Sequence, residues 1–235
     1  MYTYKRTIKS GDMIEVEYYQ SIRKIGKNYG GRKSNNSLSP AKMRKANKLR
    51  AVKHMQRLIN ANFGSGDFFC RFSAPYGTYE SEKEFRAEVG KWLDRINYRL
   101  KKQGKGRLKY IAFIECGKSG KNWHIHIIVS KEDRELLSEQ WPYENGQNFT
   151  PLYKNENFKK LAEYITKDLT GKEDVDAAQK RMMTSRNLKK PESVTRKAKK
   201  REIRALERGE MIEPPEGHYP VSYTHLRAHE TLRHL

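Results

Sequence analysis

The segments LKYIAFIEC (108–116) and WHIHIIVS (123–130), joined by the polar run GKSGKN, leave this chain few ways to fold. Each is rich in β-prone residues and bounded by turn formers, the pattern of two adjacent strands in a hairpin. Side chains alternate between the two faces of a strand. His124, His126 and Ile128 therefore share one face, while Ile125, Ile127 and Val129 take the other. The second face reads as core and the first as a site.

Other elements follow from local signals. Residues 2–19 read as a hairpin turning at Ser10-Gly11-Asp12. Ser39-Pro40 supplies the cap and first position of a helix running to about Ala61. GDFFCRFSA (66–74) reads as a buried strand ending at Pro75. Ser81 to Glu84 is a capping box; Phe85, Val89, Trp92, Leu93, Ile96 and Leu100 then recur at helical spacing, which predicts an amphipathic helix to Gly104. Ser130 opens a short helix to about Glu139, and WPYENGQNFTPLY (141–153) reads as a loop. A helix from Asn157 to Leu169 follows, with Phe158, Leu161, Ile165 and Leu169 as its core stripe and Gly171 as its stop. A last helix is expected from Pro191.

The charge is lopsided. With 49 Lys plus Arg against 28 Asp plus Glu, the net charge is +21, the footprint of a protein that binds a polyanion. No acidic residue lies between Tyr18 and Gly66, yet twelve Lys or Arg fall between Arg23 and Arg57, and residues 181–204 hold ten more against two acidic ones. No window is apolar enough to span a membrane, and the N-terminus has no signal-peptide core, so a cytoplasmic protein without a membrane partner is expected. Cys70 and Cys116 are too few for a disulfide framework or a thiolate metal site.

A His-x-His pair alone is weak evidence. Here, however, a hairpin would bring Glu115 beside His124 and His126, and two imidazoles with a carboxylate suit a divalent cation. EYITKDL also sets Tyr164 and Lys167 three apart on one helical face, outside the core stripe. Together these residues resemble the HUH endonuclease superfamily, in particular the single-tyrosine rolling-circle replication initiators of bacterial plasmids, phages and small single-stranded DNA viruses. HIH (124–126) matches the HUH motif, YITK (164–167) the Tyr-x-x-Lys motif, and Glu115 the acidic third ligand. DFFCRFSAPYG (67–77) sits where such initiators carry their DNA-binding first strand, without its Thr-rich pattern; SRNLKKP (185–191) is similar to a segment that follows the tyrosine helix in many of them.

The resemblance implies a DNA endonuclease and strand transferase. His124, His126 and Glu115 would hold Mn2+ or Mg2+ on the scissile phosphate, and Tyr164 would attack to give a 5′-phosphotyrosine and a free 3′-OH primer. Lys167 would deprotonate the tyrosine or hold the phosphate, and Arg71, Arg186, Lys189 and Lys190 would contact nucleic acid. The expected partners are single-stranded DNA and an origin hairpin. GKS (117–119) lacks the first glycine of a phosphate-binding loop, which is Ala112 here, so a host helicase and DNA polymerase are expected as further partners in a bacterial cytoplasm. A single-tyrosine HUH transposase and a non-catalytic basic nucleic-acid-binding protein are the alternatives.

The expected architecture is α+β: a central antiparallel sheet of about four to five strands with flanking helices, similar to RNA-recognition folds. The His strand lies in its middle, the Glu115 strand beside it, and the Tyr164 helix across it. The expected domains are a basic N-terminal hairpin and helix (1–65), the endonuclease domain (66–190) and a basic C-terminal helix (191–220). VSYTHLRAHET (221–231) looks like the in-frame translation of a transposon-end adaptor from sequencing libraries, so 221–235 is set aside as an artefact and the true C-terminus is expected to be missing. A metal site from His225 and His229 is the weaker reading of that tail.

Overall fold

The hairpin expected around residues 108–130 forms the centre of a five-stranded antiparallel sheet. The computed structural model describes residues 1–27, 41–117, 120–153, 157–167, 182–209 and 219–224, with 41–44 and 219–224 described by their backbone alone. The chain divides into two units, 40–189 and a second made from 1–39 with 190–235. The expected Ser39-Pro40 cap, Leu169, Gly171 and the tail from residue 225 lie outside the described residues.

In the 40–189 unit, helix α1 (Ala41–Asn62) and strand β3 (Phe68–Ser73) lead to helix α2 (Glu82–Lys102). The hairpin β4 (Tyr110–Cys116) and β5 (Trp123–Val129) follows, then a 3-10 turn and the short helix α3 (Arg134–Gln140). Strand β6 (Gln147–Pro151), helix α4 (Lys159–Thr166) and strand β7 (Met182–Thr184) complete it. The sheet order β6-β3-β5-β4-β7 puts the His strand in the middle. Backbone groups of a strand paired on both sides are fully satisfied, which lets β5 be buried along its length.

Each face of this sheet is covered by helices. On one side Ile125, Ile127 and Val129 meet Cys70, Phe72, Ala112 and Ile114, and α2 lays Phe85, Val89, Trp92, Leu93, Ile96 and Leu100 over them. Ser81 caps α2 by accepting from the Glu84 N–H at 3.3 Å. The other side is only half a site: Ile128 is fully buried with Ile111 and Phe113 beneath Val52, Met55 and Ile59 of α1 and Ala162 and Ile165 of α4. Val52, Met55, Ile59 and Phe63 form a helical stripe within the basic run, so α1 is part of this core and not an N-terminal accessory.

Two elements depart from expectation. The loop 141–153 contains β6, which pairs with β3 from Phe68↔Pro151 to Phe72↔Gln147. The strand starts after Gly146, whose φ of +85° and 2.9 Å approach to Ser73 leave no room for a Cβ. The stretch after Pro191 begins as a strand, β8 (Glu192–Lys197), and only then becomes helix α5 (Lys200–Glu207). Val194 and Thr195 are β-branched, and pairing with the distant β1 decides the outcome.

In the second unit β1 (Tyr2–Ser10) and β2 (Met13–Ser21) form the expected hairpin, turning through Gly11 at φ +61°. The sheet order is β8-β1-β2-β9, where β9 (Tyr219–Thr224) adds in parallel to the edge of β2. Its first residues precede the adaptor-like tail and its last four belong to it; an edge strand accepts any extended segment through backbone groups alone. Glu202 of α5 ties this unit together, accepting from Lys5, Arg196 and the Lys199 N–H at 3.0, 2.8 and 2.8 Å. The Arg196 guanidinium beside it holds its carboxyl well below the usual range.

Trp92 is fully buried, packs on Phe72 and Trp141 at 4.8 Å each, and donates its indole N–H to the Leu137 carbonyl. Trp92→Ala is expected to cost about 3–5 kcal/mol, read as a lower urea midpoint for the 40–189 unit.

Candidate metal and tyrosine site

The β4–β5 register sets Glu115 directly opposite His124 and Phe113 opposite His126. Residues opposite one another project to the same face. The Glu115 Oε2 consequently lies 3.2 Å from His124 Nε2 and 3.0 Å from His126 Nε2. The three ligand atoms fall within 4.8 Å of one another, and this group can hold a metal ion. Two ligands at about 2.1 Å from an octahedral ion lie about 3.0 Å apart. The cluster has that spacing.

Protonation fits the same use. Only Nδ1 of His124 can donate to the Asn122 carbonyl, 3.2 Å away. With the ring proton held there, Nε2 turns a lone pair toward the Glu115 carboxylate, and two acceptors facing each other call for a cation between them. His126 is 6% exposed. Burial first, then the neighbouring His124 and Arg71, pull its pKa down to about 3, so its ring is neutral and free of a competing proton at ordinary pH. The contact with Glu115 is thus between a carboxylate and a neutral imidazole. Among the described residues nothing accepts from the buried His126 Nδ1. Packing holds that ring instead: Phe69 and Phe113 lie 5.2 and 4.8 Å away at 6° and 15° to it.

Tyr164 stands over this cluster. Its ring meets His126, Phe69 and Phe113 edge-on at 5.7, 6.0 and 6.0 Å, and its hydroxyl lies 3.4 Å from His126 Nε2. The ring is 42% exposed, so the hydroxyl is open to a ligand from outside. Helix α4 starts abruptly after Asn157 and Phe158, both left-handed at φ 51° and 57°. Such residues cost about 1–3 kcal/mol each and need support. Gln56 and Asn60 of α1, both buried, supply it by donating side-chain amides to the Asn157 carbonyl at 3.0 and 2.8 Å. This amide pair was not legible in the sequence. Two polar residues four apart on a helix read as its wet face, and nothing local points to a carbonyl about a hundred residues away.

The remaining expected residues are distributed differently. Lys167 occupies the C-cap of α4, exposed, one turn beyond Tyr164. Arg71 is exposed on β3 directly opposite His126, on the same face as the cluster. Arg186 and Lys189 are exposed near the far end of β4, where Ser185 pairs with Tyr110. Lys190, also exposed, begins the returning segment of the other unit. Five residues separate Tyr110 from Glu115, about 17 Å along a strand. The structure therefore brings Glu115, His124, His126 and Tyr164 together with Arg71 alongside, and keeps Arg186 and Lys189 apart from them.

Residues 77–173, which include all four of the gathered groups, match the model of a family described as replication-associated protein ORF2. The match is consistent with a replication initiator. No curated protein and no solved structure matches the chain. No helix among the described residues is long and apolar enough to cross a membrane.

Two outcomes are expected from this geometry. In metal-free protein the His126 ring, followed by NMR, stays neutral from pH 7 downward and takes its proton only near pH 3. The unfolded chain binds that proton near 6.5, so the group's contribution to stability is complete above 6.5 and is lost as the pH falls toward 3. Replacing both amides, Gln56→Ala with Asn60→Ala, leaves the Asn157 carbonyl unpaired at about 1–3 kcal/mol. Amides of α4 should then exchange at least about 10-fold faster.

Proposed function

We propose that the protein is a rolling-circle replication initiator that nicks single-stranded origin DNA by transesterification and later rejoins the strands. The observation that carries this reading is the Tyr164 hydroxyl 3.4 Å from His126 Nε2, over a Glu-His-His cluster able to hold a divalent ion. The family match across residues 77–173 supports the replication role.

In this reading Tyr164 Oη attacks the scissile phosphorus in line. The bond from phosphorus to the 3′ oxygen breaks, a 5′-phosphotyrosine forms, and the 3′ oxygen leaves as a hydroxyl able to prime synthesis. A divalent cation, Mn2+ or Mg2+, held by Glu115, His124 and His126 supplies Lewis-acid polarisation of the phosphate. His126 does not take the phenolic proton: with a pKa of about 3 it is far too weak a base for a phenol near 10. Lys167, one turn from Tyr164, is left to take that proton or steady the phosphate. Arg71 lies where it would neutralise a neighbouring phosphate of the strand, and the basic surface of α1 would grip the stem of an origin hairpin. Unwinding and extension fall to a helicase and polymerase of a bacterial host.

A denaturing gel of the protein with Mn2+ and single-stranded DNA of its own replicon tests the reading. A covalent band is expected that disappears in Tyr164→Phe and with chelator while binding persists. Glu115→Gln and His124→Ala should each slow adduct formation at least about 100-fold, the loss of several kcal/mol of charge stabilisation. Tight binding without any adduct or nick in the wild type would instead favour a non-catalytic binder.

A further inference from the structure

The segment SRNLK (185–189) serves neither the cation cluster nor Tyr164, yet it is fastened at several points. Tyr110 donates its N–H to Ser185 Oγ at 3.0 Å, and the Ser185 N–H donates back to the Tyr110 carbonyl at 3.0 Å. Asn187 donates its amide to the Arg107 carbonyl at 2.8 Å. Asn62 brackets Lys189, accepting from its N–H at 2.7 Å and donating to its carbonyl at 2.8 Å. The uncharged side chains Ser185 and Asn187 thus fix backbone, while Arg186 projects outward, exposed.

Between this segment, the start of β4 and Asn97 of α2 lies a cavity of about 500 Å3, with Arg107, Tyr110, Thr184 and Arg186 in its wall. That volume is in the range of small-molecule sites, about 300–1,000 Å3. Neither Arg107 nor Arg186 has a carboxylate partner among the described residues. The Asn97 amide is occupied by the Leu93 carbonyl and the Leu108 N–H, so the wall is rigid. Half-buried Tyr110 offers a ring face, and burial pushes its phenol up, which keeps it a neutral donor. Two guanidinium groups without a protein counter-charge, an aromatic surface and polar donors around one cavity suit a phosphate joined to a planar base.

We infer that this cavity is a second nucleotide site, at the opposite end of β4 from the cation cluster. Arg107 and Arg186 hold the phosphate of one nucleoside phosphate, and Tyr110 lies against its base. The inference rests on nucleic acid as the protein's ligand, and not on the chemistry at Tyr164. The nucleoside phosphate is either one residue of the bound strand, held away from the nicking point, or a free nucleotide.

The test uses the full chain as Tyr164→Phe in chelator, so that no cleavage intervenes. Binding of a fluorescent short oligothymidylate is followed by anisotropy, and binding of dTMP by calorimetry. Adding Arg107→Ala with Arg186→Ala is expected to weaken the occupied probe at least about 10-fold. Lys83→Ala with Lys91→Ala, which removes the same charge from exposed positions on α2, should change it less than about 3-fold. Loss confined to the oligonucleotide assigns the cavity to the strand, and loss of dTMP binding assigns it to a free nucleotide; either supports the site. Equal losses in the two double variants, or no binding of either probe that depends on the arginines, overturn it. A wild type that forms no covalent adduct with Mn2+ would remove the nicking reading and leave this binding result intact.

Discussion

Glu115 stands opposite His124 only because the β4–β5 ladder runs in one register, and almost everything about the site depends on that alignment. A slip by one residue would send His124, His126 and Ile128 into the face packed by α2 and turn Ile125 and Ile127 toward the cation cluster. The apolar residues resist the slip. Ile127 and Val129 are fully buried on one face and Ile128 on the other, so the hydrophobic pattern of both faces enforces the pairing that assembles the donors. The functional residues are therefore placed by their neighbours' burial, at little cost to the core.

Tyr164 depends on a second constraint of a different kind. Helix α4 is eight residues long and has no side-chain cap at its N-terminus. A helix this short is marginal by itself and takes its position from packing. Ala162 and Ile165 anchor it beneath α1, and the amides of Gln56 and Asn60 hold the left-handed turn from which it starts. Helix α1, which composition marks as a basic patch, is thus also the support for the tyrosine.

What could be read in the sequence followed from short-range rules. The hairpin, its His face and the Glu115 pairing needed only alternation and a polar turn, and α2 needed a capping box and six apolar residues at helical spacing. The covered half of the His face was misjudged, since Ile128 looks the same in a strand whether a helix lies over it or not. Strand β6 was hidden because QNFTP, on a sheet edge, turns only Gln147 and Phe149 partly inward and exposes Asn148 and Thr150. Strand β8 was hidden because its partner is some 190 residues away. Non-local backbone pairing leaves no mark in a window of ten residues.

His126 is held in place without a hydrogen bond at Nδ1, by the near-parallel rings of Phe69 and Phe113. A metal-ligating histidine is ordinarily pinned through its second nitrogen, which fixes the angle of the coordinating lone pair. Dispersion contacts restrain a ring's plane but leave it some freedom to slide and tilt. Such a ligand adapts to ions of different radius, so this centre is built for tolerance of whichever divalent ion the host cell supplies and not for selectivity among them.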